Sequence, residues 1–378
     1  MQSNDIALAF SGGGIRALAF HSGVLRYLAE QGQLERVSHL STVSGASLLI
    51  GLVFHRSEMT WPSSDTYLTR TAPMIRDLIT SRDLQSSAIR RLAFQPLNWR
   101  SAFSRANVIA QAIKETWGID QCLADLPASP EWTINGTTAE TGKRFRFKLS
   151  QLGDYELGYA DASNFPLATA MATSAAFPVG IGPLAIDARK YSWSKRPYWG
   201  TSNEEAKPIS VPYPTLHIYD GGVYDNLGLE ALFDLSRNEA QGAYRIVASD
   251  AGAPLTSGFN FWGLSPFRIK RLLDIVTDQT RALRVRSFVQ FLRGEHGGAY
   301  LRIGTLPGQL FAKSPRLVSD SQSWLSDTEI ELARTVPTNL HSLEPEKFDL
   351  VERHGYETAR AVQLAYPYLL GDQQGKVA

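Results

Sequence analysis

Apolar residues recur along this chain in two different rhythms. Residues 5–11, DIALAFS, form a short continuous apolar run, the pattern of a buried strand. Beyond a triple glycine, Ile15, Leu18, Ala19, Val24, Leu25 and Leu28 return at helical spacing, and Gly32 stands where a helix would stop. VSHLSTVS (37–44) predicts a second strand and ASLLIGLVFHR (46–56) a short apolar helix. Strand, helix, strand, helix at this pace predicts a parallel, doubly wound sheet.

Residues 57–127 lack strand patterns and hold helical fragments rich in arginine and tryptophan, the reading of a helical insertion. EWTINGTTAETGKRFRFKLS (131–150) reads as a hairpin turning at Gly142. A small-residue helix is expected in 164–184, ending at Phe177-Pro178, and a loop from Lys190 to Pro214. TLHIYDGG (215–222) predicts a strand ending at Asp220, NLGLEALFDLSR (226–237) a helix, and YRIVASDAG (244–252) a strand ending at Asp250. A long amphipathic helix spans 267–294. Its stripe of Ile269, Leu272, Leu273, Val276 and Leu283 reads as a core face. A strand at 299–306 and terminal helices in 344–368 complete the chain. The expectation is one α/β domain over 1–378, a three-layer α/β/α arrangement with a mostly parallel central sheet. Residues 57–127 would form a lid or membrane-contact insertion, and 295–378 are less distinctive.

With 378 residues, 43% hydrophobic and 20% charged, the chain can bury a large core. A net charge of +1 gives no global field to attract nucleic acid. The single cysteine, Cys122, excludes an internal disulfide and fits a reducing compartment. The N-terminus lacks the basic start of a secretory signal. The most apolar window, 40–54, carries hydroxyls and glycines and falls short of the roughly 20 residues that span a bilayer. A cytoplasmic protein with peripheral membrane contact is expected. Ile89, Arg90, Arg91, Leu92, Phe94, Trp99 and Arg100 offer a basic-aromatic mixture suited to anionic head groups; the competing reading is a helix packed on the core with solvated arginines.

The triple glycine admits two chemistries. Gly12-x-Gly14-x-x-Ala17 follows a strand and opens a helix, as a dinucleotide fingerprint does, with Glu35 about twenty residues on. Glu35 precedes the second strand, however, whereas a ribose-binding acid belongs at that strand's C-terminal end. That end reads TVSGAS (42–47), a strand, a Ser-Gly turn and an apolar helix: the layout of a nucleophile elbow. Ser44 is then the candidate nucleophile, Ser41 a strand residue and Ser47 a first-turn residue. The loop would serve as oxyanion hole through N–H groups between Gly12 and Ile15, each worth about 3–4 kcal/mol in the transition state. Arg16 would steady the loop or a phosphate head group, unless it is an ordinary surface arginine at a helix start.

Seven histidines are available as base, and Ser44, Asp220 and His354 follow the order of an α/β-hydrolase triad. Only one complete strand precedes the elbow strand, though, and His354 sits in a polar helix-like stretch. The alternative base is an aspartate acting alone. Asp220, ending a strand before Gly221-Gly222, is the first candidate; Asp250, before Ala251-Gly252, is the second. A carboxylate of ordinary pKa about 3.9 would need burial to raise it.

SGGGIRA (11–17), TVSGAS (42–47) and DGG (220–222), in that order, resemble the patatin-like phospholipases, related in core to cytosolic phospholipase A; ATSAAFPVGIGP (172–183) resembles the family's small-residue helix and following turn. The resemblance implies a Ser44–Asp220 dyad that hydrolyses acyl esters of glycerolipids with no metal or cofactor, the oxyanion loop falling on Gly12, Gly13 and Gly14 with Arg16 at the family's arginine position. Ser11 stands where the family often has aspartate and Ala17 where it often has glycine. Thr42 and Ala46 replace the outer glycines of the elbow. The Ala46 methyl bears on substrate range more than on activity. Two other functions compete: a lipid-binding or signalling protein of the same fold that has lost turnover, and a dinucleotide-binding enzyme using Gly12–Ala17.

Overall fold

The computed structural model describes residues 5–94, 106–177, 182–198, 205–255, 257–259, 265, 267–294, 297–310 and 324–369. A mixed sheet of twelve strands runs through them. Its parallel part is ordered β14 (Gly298–Arg302), β13 (Arg245–Asp250), β1 (Ile6–Phe10), β2 (Val37–Thr42), β3 (Glu131–Thr138). Phe10 pairs with Thr42 on one side and Ser249 on the other, so these strands end along one edge. The chain leaves β1 for β2 on one side and returns later to β13 on the other. That reversal opens a crevice at the end of β1, and the triple glycine lies there.

Alternation along β1 sorts the two layers. Ile6, Leu8 and Phe10 enter the main core with helices α1 (Gly14–Glu30) and α2 (Gly45–Arg56). Ala7 and Ala9 face a second cluster built from Leu229, Phe233, Phe288 and Phe291. Small side chains on that face let the second layer approach closely. Both helices begin where the sequence expects, and Gly32 follows α1 with φ 63°.

The insertion is helical, with α3 (Ala72–Ser81), α4 (Leu84–Phe94) and α5 (Ala106–Ala112). Of the basic-aromatic residues, Ile89 is exposed, Arg90 reaches the Ser86 carbonyl and Arg91 pairs with Glu115. The side chains of Leu92 and Phe94, and Trp99 and Arg100 altogether, lie outside the described residues.

Beyond the parallel strands the expected hairpin joins β3 to β4 (Arg144–Lys148), and β5 (Gln151–Asp154) and β6 (Gly158–Asp161) continue the sheet antiparallel. Three expectations fail. The stretch read as loop carries β8 (Trp193–Lys195) and β9 (Lys207–Ile209), with β7 (Leu184–Asp187) before them and α6 (Leu167–Ser174) before that. Residues 226–237 are not a helix. The Asp225 carboxylate accepts the N–H groups of Leu227 and Glu230, Gly228 turns the chain at φ 68°, and two-residue strands β11 (Phe233–Asp234) and β12 (Glu239–Ala240) follow. The apolar spacing there serves irregular backbone buried beneath a long helix. That helix, α7 (Phe267–Leu292), buries Phe288 and Phe291 and leaves Ile269, Leu272, Val276 and Leu283 exposed, so the expected core stripe faces outward. Helices α8 (Asp327–Thr335) and α9 (Pro345–Ala365) close the fold, α9 packing along α1. No described helix is long and apolar enough to cross a membrane.

One strand, β10 (Thr215–Asp220), positions the site. It pairs antiparallel with β3, Asp220 opposite Gly136 and Ile218 opposite Thr138, while β4 occupies the other edge of β3 over Ile134–Thr137. β2 covers the first edge only as far as Ile134. β2 and β10 therefore lie end to end on one edge of β3, pointing at each other. The end of each is where the candidate residues stand.

Candidate active site

β2 runs out at Thr42 and α2 begins at Gly45, leaving two residues to turn the chain. Ser44 takes φ 54° and ψ −123°, a left-handed conformation costing a non-glycine residue about 1–3 kcal/mol unless its surroundings impose it. Here they do. The Ser44 N–H donates to Ser174 Oγ at 3.0 Å, and Ser174 in turn donates to the Asn135 carbonyl at 2.7 Å. Ser47 Oγ bonds both Ser174 Oγ and Thr42 Oγ1, and Thr42 Oγ1 accepts from the Trp132 indole at 2.9 Å. Thr42, at an outer-glycine position of the elbow, thus adds a hydroxyl that the network uses. Gly45 cannot be replaced: a Cβ there would run into the Gly14 carbonyl.

Asp220 is buried at 3% exposure, with its N–H on the Ala176 carbonyl and its carbonyl accepting from Thr137 Oγ1. Its carboxylate accepts the Gly222 N–H at 2.6 Å, and the Ser44 side chain lies near enough to favour its charged form. Among the described residues no cation offsets its loss of water. Burial pushes its pKa up to about 7, against the smaller downward pull of the Gly222 N–H and the neighbouring Ser44 side chain. Such a group changes protonation near neutrality, where a general base works best.

The glycine loop lies alongside. Gly13, at φ 149°, precedes α1, and Gly14, at φ 62°, begins it. A Cβ on Gly12 would come within 3.0 Å of Ser44 Cβ and 2.6 Å of Asn226 Oδ1. The absent side chain lets the loop close on the serine. The Gly12 N–H donates to the Asn226 carbonyl at 3.1 Å and the Ile15 N–H to the Asn339 carbonyl at 2.8 Å. Neither is available as a donor to a reacting oxygen. Among the described residues the N–H groups of Gly13 and Gly14 have no acceptor, and they stand at the positive end of α1.

Arg16 is fully internal, donating to the carbonyls of Ala251 (3.0 and 3.3 Å) and Val336 (2.6 Å). It ties the start of α1 to the end of β13 and presents nothing to a head group; the surface-arginine reading fails with it. Desolvation lowers its pKa to about 10, with Asp250 opposing and Arg281 adding to the fall. Two residues escaped the sequence reading. Asn135 holds the elbow through its carbonyl and donates its side-chain amide to the Thr42 carbonyl at 2.9 Å. Asn226 joins the glycine loop to the Asp-Gly-Gly turn, its Oδ1 lying 2.7 Å from where a Gly222 Cβ would be. An asparagine inside a strand pattern was the only signal for the first.

The rival residues are placed elsewhere. Asp250 is bound by Tyr300 OH at 2.6 Å, the Gly252 N–H at 2.9 Å and the Arg281 guanidinium at 3.3 Å. His354 is buried against Phe20, its Nε2 accepting the Gly304 N–H, and burial depresses its pKa to about 4. The triad order on paper does not survive this packing. His21 is likewise internal, between Ser11 and Ser249. Glu35 accepts from the Ser64 N–H and hydroxyl, a structural anchor at the wrong end of β2 for a ribose. No three His, Cys, Asp or Glu side chains among the described residues converge as a metal site.

The parts assembled at this edge are a serine on a strained turn, a buried carboxylate and two unpaired N–H groups on an α/β sheet: the equipment for acyl transfer. The family model for patatin-like phospholipase matches residues 8–233, more than half the chain, and the chain belongs to that family. Among solved structures, human GIVD cytosolic phospholipase A2 aligns over 96% of this chain and 59% of its own, at 12% identity and a TM-score of 0.55. The same enzyme in complex with methyl gamma-linolenyl fluorophosphonate aligns at 13% identity and 0.52, over 96% and 57%. These likenesses establish the shared fold, and the chain spans under two thirds of those proteins. No curated protein matches.

Proposed function

We propose that the protein is a serine lipid acyl hydrolase of phospholipase A or lysophospholipase type, cleaving carboxyl esters of glycerolipids through Ser44 and Asp220. The observation that carries this reading is the meeting of β2 and β10 end to end on one edge of β3, which sets Ser44 on its strained turn and the buried Asp220 carboxylate side by side with Gly12 packed against the serine. Asp220 takes the Ser44 proton as Oγ attacks the ester carbonyl. The developing oxyanion is held by the N–H groups of Gly13 and Gly14, while Gly12 acts as the gap that admits Ser44 and Asn226. The alcohol or lysolipid leaves with the proton from Asp220, and water activated by the same carboxylate releases the fatty acid.

The family supports a lipid hydrolase; the dyad and the ester bond are our assignment. The turnover-free alternative has less support, because the elbow network and the two unpaired N–H groups are intact. The dinucleotide alternative has none in Glu35. The test is release of fatty acid and lysolipid from phosphatidylcholine by wild type, Ser44→Ala and Asp220→Asn. The proposal expects products from wild type alone; hydrolysis by the folded Asn variant would overturn it.

A further inference from the structure

The helix expected to bury its apolar stripe exposes it, and its position says toward what. α7 lies along β13 in the opposite sense. Arg281 meets Asp250 at the end of that strand. Leu292 Cδ2 lies 3.1 Å from the Cβ position of Gly298, which pairs with Ile246 near the strand's start. Eleven helical residues cover about 16 Å, and the strand from Ile246 to Asp250 about 13 Å, so the two elements run side by side. Residues before Arg281 therefore continue past the C-terminal edge of the sheet. Phe267 stands about 21 Å beyond Arg281 along the helix, on the side where Ser44 and Asp220 lie.

Ile269, Leu272, Val276 and Leu283 are 65%, 61%, 51% and 60% exposed and fall within an arc of about 60° on the helix. Phe288, which anchors the helix to the sheet, points away from that arc. Arg268, Arg286 and Arg293 flank one side of the stripe, beside the exposed Ile275. Exposed Phe259 lies 5.0 Å beneath Arg268. The helix's acids turn the other way: Asp274 pairs with Lys270 and Asp278 with Arg281. Apolar side chains bordered by arginines with no acid among them suit the boundary between acyl chains and anionic head groups.

We propose that the exposed face of α7 seats the protein on an anionic bilayer, its apolar stripe among the outer acyl carbons and its arginines at the phosphates. This rests on the lipid-hydrolase reading for its purpose but not for its test. Binding is measured by co-sedimentation with vesicles of phosphatidylcholine alone and with roughly one-third phosphatidylserine. The proteins compared are wild type, Ile269→Gln/Leu272→Gln/Val276→Gln and Arg286→Glu/Arg293→Glu, with Leu272→Gln alone as the gentler variant. Turnover of a dispersed short-chain ester reports on the crevice separately. The triple variant should bind both vesicle types at least about tenfold more weakly. The arginine variant should lose mainly its preference for phosphatidylserine. All should keep wild-type turnover of the dispersed ester. Undiminished vesicle binding by the triple and single variants would overturn the proposal. So would sedimentation velocity showing a wild-type dimer that the triple variant dissolves, since a second copy would then cover the face. Absence of ester turnover in every protein, with vesicle binding as described, would defeat the hydrolase reading and leave the anchor standing.

Discussion

Asp220 and Asp250 end two apolar strands of the same sheet, stand just before a glycine-bearing turn, and are almost equally buried. Each accepts a backbone N–H from the residue two positions on. What separates them is the company of the carboxylate. Asp250 has a guanidinium and a tyrosine hydroxyl, so its charge is compensated and held. Asp220 has the Ser44 side chain beside it and no cation among the described residues, so burial raises its pKa to about 7. The same residue at the same kind of place becomes a structural ion pair in one case and a candidate base in the other. Position on the sheet nominates a residue, and its partners decide what it can do.

The sharpest way to break that comparison is to neutralise each in turn. Asp220→Asn should lower kcat by about four orders of magnitude with the fold retained, measured as fatty-acid release beside circular dichroism. Gly13→Ala should cost about two to three orders. Its Cβ would lie 2.9 Å from the Ala251 carbonyl and disturb the N–H pair, which stopped-flow acylation can follow.

The pH dependence of kcat/KM comes next. A base with pKa about 7 must be ionised to act, so activity should fall about tenfold per unit below that point and level off above it. Stability runs the other way. Between the ordinary carboxylate value and about 7 the native state holds a proton that the unfolded chain has lost. Unfolding free energy should therefore drop as pH rises through that window, by about 4 kcal/mol, and Asp220→Asn should flatten the drop in urea titrations.

Asp250→Asn should do the reverse of Asp220→Asn. Turnover per folded molecule should stay roughly within an order of magnitude of wild type, but the largely buried Arg281 is left with Asp278 alone and stability falls by about 3 kcal/mol, read by calorimetry. Smallest of all, His354→Ala should remove an acceptor for the Gly304 N–H, cost about 2 kcal/mol and leave the pH profile where it was.

The parallel strands and their glycine and serine turns were legible because burial on both faces writes near-continuous apolar runs, and close backbone approach writes small residues. The direction of β10 was not. Nothing in TLHIYDGG distinguishes a parallel strand from one that arrives head-on, and the head-on arrival brings Asp220 to Ser44. Residues 226–237 show a second limit: leucines at helical spacing also suit a turn fastened by Asp225. The stripe on α7 shows a third, since periodicity reports that a helix has an apolar face without saying what the face meets. Within the site, Ser44, Asp220 and the glycines could be nominated from local pattern. Gly12's engaged N–H and the support of Asn135 and Asn226 depend on contacts between segments far apart in the chain.

Activation of Ser44 by Asp220 beneath the glycine loop can be probed by fluorophosphonate labelling with peptide mapping, because the probe needs nucleophile, base and oxyanion donors together. One label, on Ser44, is expected in wild type, and at most slow labelling of Asp220→Asn. A label on another residue, or an unlabelled Ser44 in folded wild-type protein, would contradict that activation.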